Sequence, residues 1–225
     1  TLKLNHLSLG AKLWCAVASM IALLVFTLGA AINKSQSLTA QQEDISGAYV
    51  VKVADVTRWA GLVANNATRV VSSLRSSDAE LAEFYKEPIA ATSAEISVLQ
   101  KKLDVMDFTP ESKALIGRIA EERKRVLASR AKAFEAKKAK DQDAVNKELE
   151  AEYLPATSKY LKSLDELAAL QVQGFDAVKA DFAVQRDSTA NFARGLVACL
   201  VGLLLAGTWL LIKQIRQPLR DAIGV

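Results

Sequence analysis

The sequence predicts an all-α fold: an antiparallel up-down-up-down four-helix bundle set between two membrane-crossing helices. Three observations predict it. Two uncharged apolar spans, Leu13–Asn33 and Gly195–Ile212, stand 161 residues apart. The segment between them is rich in Ala, Leu, Lys and Glu and poor in Gly and Pro, which favours long helices over sheet. Short polar breaks divide that segment into stretches whose apolar residues recur at steps of three and four.

Each span suits a bilayer, since about 20 residues at about 1.5 Å rise cross a hydrocarbon core about 30 Å thick. A cleaved signal peptide competes for the first span, because Ala30-Ala31 mimics a cleavage site. Its apolar stretch exceeds the roughly 7–15 residues of a signal core, so a retained helix is expected. Beyond it the breaks are Arg75-Ser76-Ser77-Asp78, Asp107-Phe108-Thr109-Pro110-Glu111 and Lys140-Asp141-Gln142. Ser77 or Asp78, Thr109 and Asp141 are the expected N-caps, with Pro110 at a first helical position. The helices then cover 34–76, 79–106, 110–140 and 142–190, in the order long, short, short, long. The outer pair must reach the membrane while the inner pair turns back, and short loops make successive helices neighbours. Pro88 and Pro155 fall inside helices, and each is expected to kink or loosen its turn. In the second helix the stripe is Leu81, Tyr85, Ile89, Thr92, Ile96, Leu99, Leu103 and Met106. In the fourth it is Leu149, Tyr153, Ala156, Tyr160, Leu164, Leu167 and Gln171. Gln171 reads as a polar layer that sets register.

Charge orients the chain. Residues 34–191 carry 23 Lys and Arg against 24 Asp and Glu, so the formal charge of +4 belongs to the flanks. Lys3, Lys12, Lys213, Arg216 and Arg220 lie on one side of the spans, and only Lys34 and Arg194 lie close on the other. The positive-inside rule therefore puts both termini in the cytoplasm and the middle segment outside. The organisation read is a stub at 1–12, spans at 13–33 and 192–212, an outer domain at 34–191 and a linker from 213 to 225. Thr1 in place of Met, and an end soon after the second span, read as a piece of a longer chain. Nucleic acid is not an expected partner of a near-neutral outer domain. Both cysteines, Cys15 and Cys199, lie in the spans, and the single histidine, His6, lies on the stub. The outer domain thus lacks His and Cys, which argues against an enzyme, a metal site or a thiol site, and no cofactor is expected.

The layout of span, four-helix outer domain, span, and Ile212-Lys213-Gln214-Ile215-Arg216-Gln217-Pro218-Leu219 resembles the sensor half of a methyl-accepting chemotaxis protein. The final run is similar to the start of a HAMP linker. Arg130-Ala131-Lys132-Ala133-Phe134, Leu154-Pro155-Ala156 and Tyr160-Leu161 resemble that family's third and fourth helices. The resemblance implies a homodimer in a bacterial inner membrane, a periplasmic sensor domain and an output to chemotaxis. A histidine kinase or a diguanylate cyclase carries the same kind of input module, and a non-binding dimerisation stalk is the structural alternative.

Polar residues that interrupt the stripes mark the candidate site. At 100° per residue, Arg123 and Arg130 fall on the face of Ile119, Val126, Leu127 and Phe134, whereas Lys124 and Arg125 point away. Inward arginines cost several kcal/mol unless paired, so they signal either structural ion pairs or an anion. On the first helix Asn66, Arg69 and Ser73 share a seam beside Trp59, Leu62 and Val70. Thr92 and Tyr160 supply hydroxyls from the second and fourth helices. Counting turns from the distal ends spreads this set over depths of about 10 to 27 Å. Guanidinium forks suit a carboxylate, and hydroxyls complete its orientation. In the resembled family, arginines and a threonine of the distal bundle bind small organic acids or amino acids, which fits this placement.

Overall fold

In the computed structural model the described residues are Leu9–Ala222. Their elements are α1 (Leu9–Arg75), α2 (Ala79–Asp104), α3 (Pro110–Lys138), α4 (Gln142–Glu148), a π-helical turn (Leu149–Tyr153) and α5 (Leu154–Ala222). No strand occurs among the described residues, so the fold is all-α. His6 and Lys3 lie outside them, as do the side chains of Cys15, Lys213, Arg216, Pro218 and Arg220. The chain forms two compact units: Ile45–Ala177, and the residues up to Asp44 together with those from Val178 on.

The three breaks are where the helices stop. Asp78 accepts from the Glu80 N–H at 2.8 Å, Thr109 from the Ser112 N–H at 3.2 Å, and Asp141 from the Ala144 N–H at 2.9 Å. Each side chain satisfies a backbone donor that the first helical turn leaves open. Lys140 takes the one positive φ found at a non-glycine residue among those described, 60°, and that reverses the chain before Asp141.

Within Ile45–Ala177 the four arms are antiparallel in sequence order. Between α1 and α2, Asp55 meets Lys102 at 2.6 Å, Arg58 pairs with Glu95, and Arg69 meets Thr92 at 2.7 Å. Partner numbers fall along α2 as they rise along α1. The same inversion joins α3 to α5, through Ser112 with Gln171 and Arg118 with Glu166, and α1 to the arm that holds α5, through Trp59 with Tyr160 and Arg75 with Glu150. One core runs down the middle, from Leu74, Val145 and Leu149 through Trp59, Ile96 and Leu164 to Leu103 and Phe108. Both ends are tied. The Lys137 ammonium donates to the Leu74 and Ser76 carbonyls, and Lys52 donates to the Asp107 carbonyl over the Phe108 ring.

The two helical prolines behave differently. At Pro155 the turn is loosened as expected: the π-helical segment immediately precedes it, and the Leu154 N–H reaches back to the Leu149 carbonyl. At Pro88 no widened turn appears, and α2 continues through it as one α-helix. The spacing of buried residues explains the contrast. Val145, Leu149, Tyr153 and Thr157 are all buried at successive intervals of four. In a plain α-helix each such step overshoots a full turn by about 40°, so three in a row leave the core face. The wider π-turn absorbs the excess. In α2 the buried positions Ile89, Thr92, Ile96, Leu99 and Leu103 step alternately by three and four, and the stripe stays in phase without help. The same turn corrects one sequence assignment, since the buried position after Tyr153 is Thr157, with Ala156 only half-buried.

In the other unit, two helices are long and apolar enough to cross a membrane. Their large apolar side chains are exposed, among them Phe26, Ile32, Phe192, Leu205 and Trp209. Apolar side chains facing outward suit lipid as the surrounding solvent.

Candidate functional site

The interruptions of the α3 stripe are inside the bundle. Ile119 and Val126 are buried, and Arg123 and Arg130 are half-buried beside them, while Lys124 and Arg125 are exposed. The two guanidinium groups reach α2. Arg123 donates to the Ser97 hydroxyl at 2.6 Å, to the Ser93 carbonyl at 3.2 Å and to the Gln100 side-chain oxygen. Arg130 donates to the Ser93 hydroxyl at 3.0 Å. From α1, Asn66 donates to the same hydroxyl at 3.1 Å, and Arg69 donates to Thr92 at 2.7 Å. Ser93 is therefore the hub, receiving donors from α1 and α3 while its own proton goes to the Ile89 carbonyl at 2.8 Å.

None of the ion pairs among the described residues includes Arg69, Arg123 or Arg130. Every partner of these three cations is neutral. By contrast Arg58, Arg75 and Arg118, on the outside of the bundle, each have a glutamate. Burial pulls the Arg130 guanidinium below its ordinary value, and Arg123 adds repulsion. Burial likewise pushes the Tyr153 phenol up to about 12, against the opposing pull of Arg130, and raises Tyr160 further. Both phenols are neutral at physiological pH.

These groups surround a small cavity of about 30 Å³, lined by Asn66, Ser93, Arg123, Arg130, Tyr153, Thr157 and Tyr160 with Val63, Ala67, Ile96, Val126 and Leu127. No carboxylate lines it. One polar atom on its wall, Asn66 Oδ1, is buried without a hydrogen-bond partner, whereas the Thr157 hydroxyl lies in hydrogen-bonding contact with the Tyr153 phenol. A buried orphan of this kind costs about 1–3 kcal/mol, so the wall is incomplete as it stands. As enclosed now, the space suits a group about the size of water rather than a whole organic acid.

Four of the seven residues singled out from sequence, Asn66, Arg123, Arg130 and Tyr160, meet at this cavity. Arg69 and Thr92 bond to each other beside it. Turn counting spreads the set over different depths because it compares backbone levels, while an extended arginine spans more than a helical turn. Ser73 is fully buried with no partner for its hydroxyl and does not line the cavity. Ser93, Ser97, Gln100, Tyr153 and Thr157 complete the arrangement. The first three each directly follow a stripe residue of α2 and form a polar, uncharged seam along the edge of its apolar face. Among the described residues no group of three His, Cys, Asp or Glu side chains is placed to hold a metal ion.

No relative among curated proteins matches the chain. A family model does, that of the four-helix-bundle sensory module for signal transduction, and it covers residues 6–183. That match takes in the first apolar span and all four arms, including every residue around the cavity. The bundle, its two apolar helices and this match agree: the chain belongs to the family of four-helix-bundle sensory modules of methyl-accepting chemotaxis proteins.

Proposed function

We propose that this chain is the sensor half of a chemoreceptor that binds a small organic anion outside the membrane and signals by helix displacement to a cytoplasmic output, chemotaxis. One observation carries the reading: Arg69, Arg123 and Arg130 point into the bundle with neutral partners only. Three interior cations without an acid destabilise a fold that has no use for them, and a pure dimerisation stalk has none. A carboxylate would supply the missing charge in bidentate geometry. Organic acids and amino acids both fit this reading: no carboxylate lines the cavity itself, and Glu122, with one oxygen buried and unpartnered, acts on the cavity-lining Tyr160.

Binding biases two packings of the bundle, and α5 moves by about 1–2 Å against its neighbours. α5 continues as one helix from Leu154 to Ala222, which supports its role as the output shaft toward the HAMP-like linker. The charge bias supports a periplasmic sensor domain in a bacterial inner membrane. A homodimer is supported by a row of small residues on the exposed face of α1: Gly47, Ala54, Gly61 and Thr68 at seven-residue intervals, with Val50, Thr57 and Ala64 along one side and Val51 and Arg58 along the other. A Cβ at Gly47 or Gly61 would meet nothing within 4 Å, so that face is open to a second copy.

The test is calorimetric titration of the full chain in lipid nanodiscs with a panel of organic acids and amino acids. Binding is expected for at least one small organic acid, and Arg123→Ala and Arg130→Ala should each weaken it severalfold or more. Unchanged affinity in both variants would remove the site.

A further inference from the structure

All the neutral groups that satisfy the interior guanidinium groups belong to one helix. Thr92, Ser93, Ser97 and Gln100 are on α2, and their donors come from α1 and α3. The contact that joins α1 to α5 at this level, Trp59 with Tyr160, uses none of the arginines. The cavity, at about 30 Å³, is too small for an organic acid until a helix moves. We propose that α2 is a built-in competitor for the anion: its hydroxyl, amide and carbonyl groups hold the guanidinium groups of Arg69, Arg123 and Arg130 when no ligand is bound, and the anion binds by taking them from α2.

The proposal rests on the anion site above and adds its regulation. A neutral acceptor is a weaker partner for a guanidinium than a carboxylate is, so the exchange favours the ligand while still opposing it. Each bond α2 gives up lowers apparent affinity, in the way an incompletely populated binding-competent state does. With the bonds to Thr92, Ser93, Ser97 and Gln100 exchanged, α2 loses its contacts with the three guanidinium groups at once, while Asn66 with Ser93, Asp55 with Lys102 and Arg58 with Glu95 still tie it to α1. The apolar stripe of Ile89, Ile96, Leu99 and Leu103 then keeps it on the bundle while it shifts. The guanidinium–anion pair comes to face Thr157 and Tyr153 at the root of α5, where both side chains line the cavity.

This predicts an inverted mutational response. In calorimetric titration of the full chain in nanodiscs with acetate as the minimal carboxylate probe, Ser97→Ala and Gln100→Leu should each bind acetate about threefold to tenfold more tightly than the parent chain. If these side chains are ordinary ligand contacts, affinity falls instead, and either a fall or no change in both variants overturns the competitor role. Both substitutions remove one acceptor from a half-buried site, and thermal melts confirm folding before titration. A second readout does not depend on them. Nitroxide labels at Ala91→Cys on α2 and Lys159→Cys on α5, in a Cys15→Ser, Cys199→Ser background, should move apart on adding acetate. An unchanged label distance in acetate-bound protein overturns the proposal while leaving the anion site standing. A parent chain that takes up no acetate overturns both.

Discussion

The indole N–H of Trp59 donates to the phenol oxygen of Tyr160 at 2.6 Å, and the two rings meet edge to face with centroids 6.1 Å apart. Both side chains are almost fully buried, so α1 and α5 are pinned together at the proximal edge of the arginine cluster. Tyr160→Phe keeps the ring contact and removes the acceptor, which leaves the indole N–H buried and unpaired. The expected loss is about 1–3 kcal/mol of stability. Trp59 is the one tryptophan in the outer domain. Its altered emission, read with Trp14 and Trp209 replaced by Phe, checks that the effect is local.

Gly174 is the closest approach of α5 to Tyr49 on α1. A Cβ there would lie 2.6 Å from Tyr49 Cε1. Gly174→Ala would ordinarily gain about 0.5–1 kcal/mol in a helix, and here the gain should be reduced because the end of the Tyr49 side chain must swing aside. Gly117→Ala, where a Cβ meets nothing within 4 Å, should show the ordinary gain. Thermal melts of both, and of Gly174→Ala combined with Tyr49→Ala, form the cycle. The double substitution should restore most of the gain that the contact withholds.

Much of this was legible in the sequence, because the bundle is specified by local rules. Asp78, Thr109 and Asp141 are caps by residue type and position, and the α2 and α3 stripes repeat within their own helices. Inward arginines showed by angle alone. The misses share one cause: they depend on another helix or on a departure from α geometry. Ser93, Ser97 and Gln100 look like a solvated edge until Arg123 and Arg130 arrive from α3. Thr157 replaces Ala156 in the core only because the π-turn shifts the phase. Ser73 shares a seam with Asn66 and Arg69, yet it lies beyond the level at which the four helices supply polar groups.

Arg130 separates stability from function. Its guanidinium is desolvated and has a hydroxyl rather than an acid as partner, so Arg130→Met should raise the melting temperature, by about 1 kcal/mol or more of added stability. The same variant should lose the response to organic acids. A structural arginine predicts the reverse for stability, so a lowered melting temperature would count against the site.

The tyrosines set the pH response. Tyr153 holds its proton to about pH 12 when folded and to about 10 when unfolded, and burial is the cause. Below pH 10 both states are neutral and the contribution is fully present. Above it the unfolded chain ionises first, and stability falls by about 1.4 kcal/mol per pH unit for each such tyrosine. Melting temperature should therefore show no tyrosine-linked decline below pH 9 and fall steeply above 10. Tyr153→Phe should soften the fall.

The turn at Leu149–Tyr153 holds one residue more than a plain α-helix with the same end points would. Chain length and helix phase are therefore decoupled at the root of α5. Deleting exposed Ala151 should close the turn to α geometry with Tyr160, Leu164 and Leu167 still seated in the core. Closing it without a deletion pushes that spare residue down the helix, advancing everything beyond by about 1.5 Å with a rotation of about 100°. One stored residue thus amounts to an axial step of the same size as the α5 displacement proposed above, and any change in length at this point trades directly against that step.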